Sequence, residues 1–107
     1  MRQQQFDKEK KQLANQLMEA IRQVYENNQY IDSRLEDILS DSIGALQQKR
    51  APQSVAYNLY HSLLDLGIEE QAYSLVDFPF EVEAIYKLIQ PLVEKYEIMA
   101  NYIHSTD

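Results

Sequence analysis

Apolar residues recur every three or four positions along most of this chain, the spacing that gathers them on one face of an α-helix. In the first such segment, about residues 6 to 28, Phe6, Leu13, Leu17, Ala20, Ile21 and Val24 form one stripe that ends at the polar pair Asn27-Asn28. A second segment opens at Ser33-Arg34-Leu35-Glu36. There the serine oxygen can accept from the backbone amide of residue 36 while the glutamate reaches back to that of residue 33, and Asp32 is the other candidate cap. Leu35, Ile38, Leu39, Ser42, Ile43 and Leu46 then hold helical phase to about Lys49, and the cations Lys49 and Arg50 suit the negative end of the helix dipole.

Pro52 biases Ala51 away from helical dihedrals and is itself pre-set for the first turn of a third helix, whose inner stripe is Val55, Ala56, Leu59, Leu63 and Leu66. Gly67 followed by Ile68 has the form of a left-handed helix terminus whose next residue packs back on the last turn. Residues 69 to 78 contain helix formers but are too few to fix a type, and are expected to form a helical turn within a connection. Asp77 can cap a fourth helix, with Pro79 in its first turn. Val82, Ile85, Leu88, Ile89, Leu92, Tyr96, Met99 and Ile103 keep phase straight through Pro91, which predicts one long helix kinked at Pro91 instead of two short ones. Four helices joined by short connections predict an all-α fold, an antiparallel up-down four-helix bundle forming one domain over residues 1 to 107. The glutamines Gln3 to Gln5 are expected to be a frayed end.

Composition agrees with that pattern: two glycines and three prolines in 107 residues leave too little turn punctuation for a sheet. With no cysteine, disulfides, thiolate catalysis and cysteine-ligated zinc are excluded, and a cytoplasmic location is the expectation. The amino-terminal residues are charged, without a secretory apolar stretch, and no run of about 18 apolar residues occurs, so neither secretion nor membrane spanning is expected. Charge is uneven: residues 1 to 50 hold eight Lys or Arg against eight Asp or Glu, whereas residues 51 to 107 hold two against nine and carry the whole net charge of −7. An acidic half repels phosphate backbones, so nucleic acid is not an expected ligand. Lys8, Lys10 and Lys11 alternate with Asp7 and Glu9 and read as a solvated helical face.

Residues able to do chemistry are sparse. His61 and Asp65 are one helical turn apart, but two ligands on one helix without a third leave a metal site incomplete, and an exposed histidine with a local hydrogen bond is the simpler expectation. The acid pairs Glu81 with Glu83, Glu69 with Glu70 and Asp37 with Asp41 lack the Glu-x-x-His motifs of a di-iron bundle. No phosphate-binding glycine loop, nucleophile elbow or dinucleotide fingerprint occurs, so neither enzyme activity nor a cofactor is expected. The eight tyrosines say more. Tyr57, Tyr60 and Leu64 form a second stripe on helix three, and Tyr86 with Val93 does the same on helix four. Such residues suit a partner-binding surface, and equally suit rings that close the edges of the core while their hydroxyls stay wet.

The sequence Gln47-Gln48-Lys49-Arg50, then Ala51-Pro52-Gln53-Ser54 opening a helix with Tyr57-Asn58-Leu59-Tyr60, together with Leu35, Ile38 and Leu46, resembles the immunity proteins for class IIa (pediocin-like) bacteriocins, the enterocin A immunity group. The resemblance spans roughly residues 10 to 103 through length and helix order. It implies a cytosolic antiparallel bundle that protects a Gram-positive cell from a pore-forming peptide by recognising the peptide bound to its receptor, the mannose phosphotransferase membrane component. The family's C-terminal half selects the bacteriocin, which points here to the end of helix three, helix four and the tail, with Tyr57, Tyr60, Tyr86, Tyr96 and Tyr102 as contacts. Leu64 and Val93 complete the expected surface. Many such proteins are basic where this one is acidic, so at most peripheral membrane contact and a protein-protein mechanism in a monomer are expected. The rival class is a helical adaptor or antitoxin-like regulatory protein whose apolar flank is covered by a dimer mate or another chain.

Overall fold

A computed structural model describes the backbone of residues 2 to 68 and 78 to 105, and the side chains of residues 8 to 68 and 78 to 95. The described residues form four helices and no strand: α1 (Arg2–Asn27), α2 (Ser33–Gln47), α3 (Pro52–Asp65) and α4 (Phe80–Ser105). Helix α1 begins before the expected residue 6 and takes in Gln3 to Gln5, since glutamine is a good helix former that extends the coil it adjoins. The expected helical turn in the connection before α4, and the cap at Asp77, lie outside the described residues.

Each described boundary has a local cause. Asp32, and not Ser33, is the N-cap of α2: its Oδ1 accepts from the Arg34 amide at 2.9 Å, while Ser33 is the first helical residue. The aspartate side chain also pairs with the Arg34 guanidinium, which one serine oxygen could not do. At its other end α2 stops at Gln47, short of the expected Lys49, because Lys49 turns left-handed at φ 61°. The Arg50 amide then donates to Ala45 carbonyl and the Lys49 amide to Leu46 carbonyl, both at 3.1 Å, the paired bonds of a Schellman terminus. Pro52 opens α3 as its first residue, with Ser54 and Val55 donating to the Ala51 carbonyl. Gly67 closes α3 at φ 88°, donating to Leu64 carbonyl at 2.8 Å, and Ile68 beyond it is buried in the core. Pro79 sits just ahead of α4 and offers its carbonyl to Val82 at 3.0 Å.

Helix α1 packs against α2, α3 and α4, and α3 packs against α2 and α4, so α1 and α3 are the elements that tie the fold together. Their inner faces supply Leu17, Ile21, Val24, Ala56, Leu59 and Leu63, all essentially inaccessible. Leu35 and Leu39 of α2 and Val82, Ile85 and Ile89 of α4 meet them in one cluster. Buried in it, each of these leucine, isoleucine and valine side chains contributes about 1.5–3 kcal/mol of hydrophobic stabilisation. Ser42, in the apolar stripe of α2, is tolerated inside because its hydroxyl donates to the Ile38 carbonyl at 3.0 Å.

The inner stripe of α4 differs from the expected one at two positions. Leu92 is 39% exposed, whereas Val93 is 2% exposed. The buried row runs Val82, Ile85, Ile89, Val93, and Leu88 and Leu92 stand one row over, toward α1. Both rows satisfy a spacing of three or four, and only the neighbouring helices select between them. The long helices elongate the molecule: its radius of gyration is 14.9 Å, against about 13 Å for an equidimensional domain of this length.

Candidate partner-binding groove

Where the first half of α1, the start of α3 and the middle of α4 meet, the helices leave a groove of about 620 Å³. Its apolar surface comes from Leu13 on α1, Ala56 and Tyr57 on α3, and Leu88, Leu92 and Val93 on α4, with the exposed ring of Pro91 beside them. Gln12, Gln16 and Gln53 line it with uncharged amides, and Glu9 and Lys95 bring one charge of each sign. The volume falls within the range of ordinary ligand pockets, and an apolar floor with a few polar groups is the usual make-up of a recognition site. A second hollow of about 520 Å³ lies between Gln12, Asn15, Gln16, Glu19 and Ala20 of α1 and Ala84 and Leu88 of α4. The two hollows share Gln12, Gln16 and Leu88 and so form one trough along the α1–α4 seam.

The structure divides the residues expected to form a binding surface. Tyr57 lines the groove. Val93 lies at the groove's base and is buried, because it belongs to the core row of α4. Tyr60, Leu64 and Tyr86 are half-buried and pack against the core, outside the groove lining. The rings of Tyr60 and Tyr86 stack across the α3–α4 seam with centroids 5.4 Å apart and planes 16° apart. An aromatic pair of this kind adds about 0.5–1.5 kcal/mol beyond its buried area. These two rings therefore close the core edge. Tyr96 and Tyr102 are on α4, with side chains outside those described.

His61 is half-buried, not exposed as expected. Its ring stands edge-on to Tyr57, with centroids 4.4 Å apart at 60°, and to Tyr60, at 5.4 Å and 89°, and its Nε2 is inaccessible. It packs as an aromatic member of the α3 surface. Among the described residues no three His, Asp or Glu side chains are grouped to hold a metal ion.

Electrostatics separate the acid pair Glu81 and Glu83. The Asn28 amide donates both to Val24 carbonyl at 2.9 Å and to Glu81 Oε2 at 3.1 Å, tying the end of α1 to the start of α4. That bond holds the Glu81 carboxyl below the usual carboxylate range, and the helix N-terminus favours the same charge. Glu83 is exposed. At the far end of the trough Glu19 accepts from Arg22 Nε at 2.9 Å, which lowers its carboxyl likewise, and Glu26 pairs with the same guanidinium. On α1 these charges form a solvated face.

The pattern of spacings missed the groove residues Leu13, Leu88 and Leu92, which it placed wholly inside, and also Tyr30 and Phe80, each 82% exposed. Along the chain these last two lie two residues and one residue from the bonded pair Asn28 and Glu81. Their place outside every apolar stripe was the only signal available. Among the described residues, no helix is long and apolar enough to cross a membrane. No family model, no curated protein and no solved structure matches the chain.

Proposed function

We propose that this chain is an immunity protein of the class IIa bacteriocin type, which protects a cell from a pore-forming peptide by binding the peptide–receptor complex from the cytosolic side. The working form is an antiparallel four-helix bundle with α4 bent at Pro91, whose ring displaces the bond to Lys87 carbonyl. The receptor component is the mannose phosphotransferase membrane protein of the resembled family. The observation that carries the proposal is the apolar groove, whose Tyr57, Leu88 and Leu92 belong to the half of the chain that selects the bacteriocin in that family. A groove of this form receives the apolar face of a helix or loop, with hot-spot contacts to an aromatic ring and a leucine pair.

The acidic half adds electrostatic attraction for cationic segments of the peptide or receptor. Glu83 and Glu94 are the residues that test this, since both are exposed while Glu81 is engaged with Asn28. Charge reversal at Glu83 and Glu94 lowers protection if attraction steers the complex, and intact protection removes that part of the mechanism.

The decisive experiment expresses the chain in a bacteriocin-sensitive Gram-positive host and titrates a panel of class IIa peptides, with the protein detected by immunoblot. Resistance to one or a few peptides, lost in a Leu92→Glu variant that still folds, is the expected result. Unchanged sensitivity across the panel, with the protein present, refutes the immunity reading and favours a helical adaptor.

A further inference from the structure

The face of α4 that borders the α1 seam carries a symmetric pattern. Glu81, Ala84, Leu88, Leu92 and Lys95 are spaced 3, 4, 4 and 3 residues apart. On a helix of 3.6 residues per turn they stay within about 40° of the Leu88 direction. Val82, Ile85, Ile89 and Val93 take the core face of the same helix, whereas Ala84 and Lys95 are exposed, Glu81 and Leu88 half-buried and Leu92 39% exposed. Turned end for end about Leu88, the stripe maps onto itself: Ala84 exchanges with Leu92, and Glu81 with Lys95.

We propose that this face of α4 is an isologous docking surface for a second copy of the chain, with a two-fold axis passing at Leu88. In that pairing Lys95 of one protomer faces Glu81 of its partner, twice, and each Leu92 meets an Ala84, so that a large side chain fills the space left by a small one. The trough beside the stripe supplies the depth. Its hollows of about 620 and 520 Å³ receive the partner's leucines, and Gln12, Asn15 and Gln16 of α1 flank them with uncharged amides. Charge fixes the direction, because a parallel pairing would set Lys95 against Lys95 and Glu81 against Glu81.

The stripe covers 15 residues, Glu81 to Lys95, and is about 21 Å long. One such helix face with one wall of α1 sits at the low end of specific interfaces, below about 600 Å² per protomer. A net charge of −7 on each copy opposes association as well. The dimer is therefore weak and reversible, with a Kd of roughly 10–300 µM. It uses the groove face that the immunity reading assigns to the peptide–receptor complex, so the two occupants compete for Leu88 and Leu92, and the concentration dependence of mass tests the dimer apart from protection.

Sedimentation equilibrium of the full chain from about 10 µM to about 1 mM spans that range. The expected result is a monomer–dimer equilibrium that Leu88→Glu abolishes, with circular dichroism showing the helices kept. Lys95→Glu weakens it about tenfold. The double variant Glu81→Lys with Lys95→Glu restores the charge pairs and dimerises more tightly than either single variant. Two outcomes overturn the proposal: a chain that stays monomeric at every concentration, which leaves the trough to a different protein, or a dimer that neither Leu88→Glu nor Lys95→Glu disturbs.

Discussion

Helices α2 and α3 end in the same backbone geometry with different residues, Lys49 at φ 61° and Gly67 at φ 88°. In the left-handed region an L-residue with a Cβ bears a penalty of about 1–2 kcal/mol that glycine escapes. Lys49 is exposed, so its replacement removes no core contact. Against the relief of strain stand the greater freedom of glycine in the unfolded chain, about 0.4–1 kcal/mol, and the loss of a cation near a helix C-terminus, about 0.3 kcal/mol. Lys49→Gly should therefore stabilise the fold by about 0.5 kcal/mol, a rise in Tm of roughly 2–3 °C for a chain of this size. Gly67→Ala, which introduces the same strain at the end of α3, should destabilise by about 1 kcal/mol and lower Tm by roughly 4–6 °C. Thermal and urea unfolding followed by circular dichroism reads both. A Lys49→Gly variant less stable than the parent, or a Gly67→Ala variant of parental stability, refutes the assignment of these two termini.

A Cβ added at Gly44 meets nothing within 4 Å, so Gly44→Ala in mid-helix should raise stability by about 0.5–1 kcal/mol in the same urea assay. Asp32→Ala should cost about 1 kcal/mol by removing the cap of α2, and Ser33→Ala less than about 0.5 kcal/mol; the reverse order in urea midpoints would restore Ser33 as the cap. Val93→Ala should cost about 1–2 kcal/mol and Leu92→Ala less than about 1 kcal/mol, although leucine loses more atoms, because only Val93 is enclosed. The lowered carboxyl pKa of Glu81 adds stability that is present above the usual carboxylate range and lost as pH falls through the depressed value. Glu81→Gln should accordingly flatten the acid limb of a plot of urea midpoint against pH, and an unchanged slope would remove that residue from the acid response.

The helices were legible because their causes are local. Pro52 can begin a helix and Gly67 can end one whatever surrounds them, and the helix that the apolar spacing carries through Pro91 is continuous there in the structure. Caps were less legible for the same reason: Asp32 and Ser33 are adjacent, both accept hydrogen bonds, and only the ion pair from Asp32 to Arg34 separates them. At Lys49 the sequence offers no glycine or asparagine to mark a left-handed turn. The turn is imposed by the need to finish α2 and bring Pro52, which is buried, onto the core.

The groove lies beyond the reach of local reasoning because three helices make it. A spacing rule asks whether residues share a face, and on α4 it accepts Leu88 with Leu92 as readily as Ile89 with Val93. Packing breaks the tie: α3 covers one row, while the row nearest α1 is left half-open, with Gln12 and Gln16 opposite it in place of leucines. Those two glutamines are where the sequence held the information. Amides on α1 facing apolar residues on α4 cannot complete a dry interface, so a seam built from them stays accessible. The same asymmetry sorts the tyrosines. Tyr60 and Tyr86 stack on each other across α3 and α4, whereas Tyr57, one turn from Tyr60 and edge-on to His61, also lines the open trough. A binding surface on this chain is therefore to be sought where two helices offer each other unlike faces, and less where aromatic residues are most numerous.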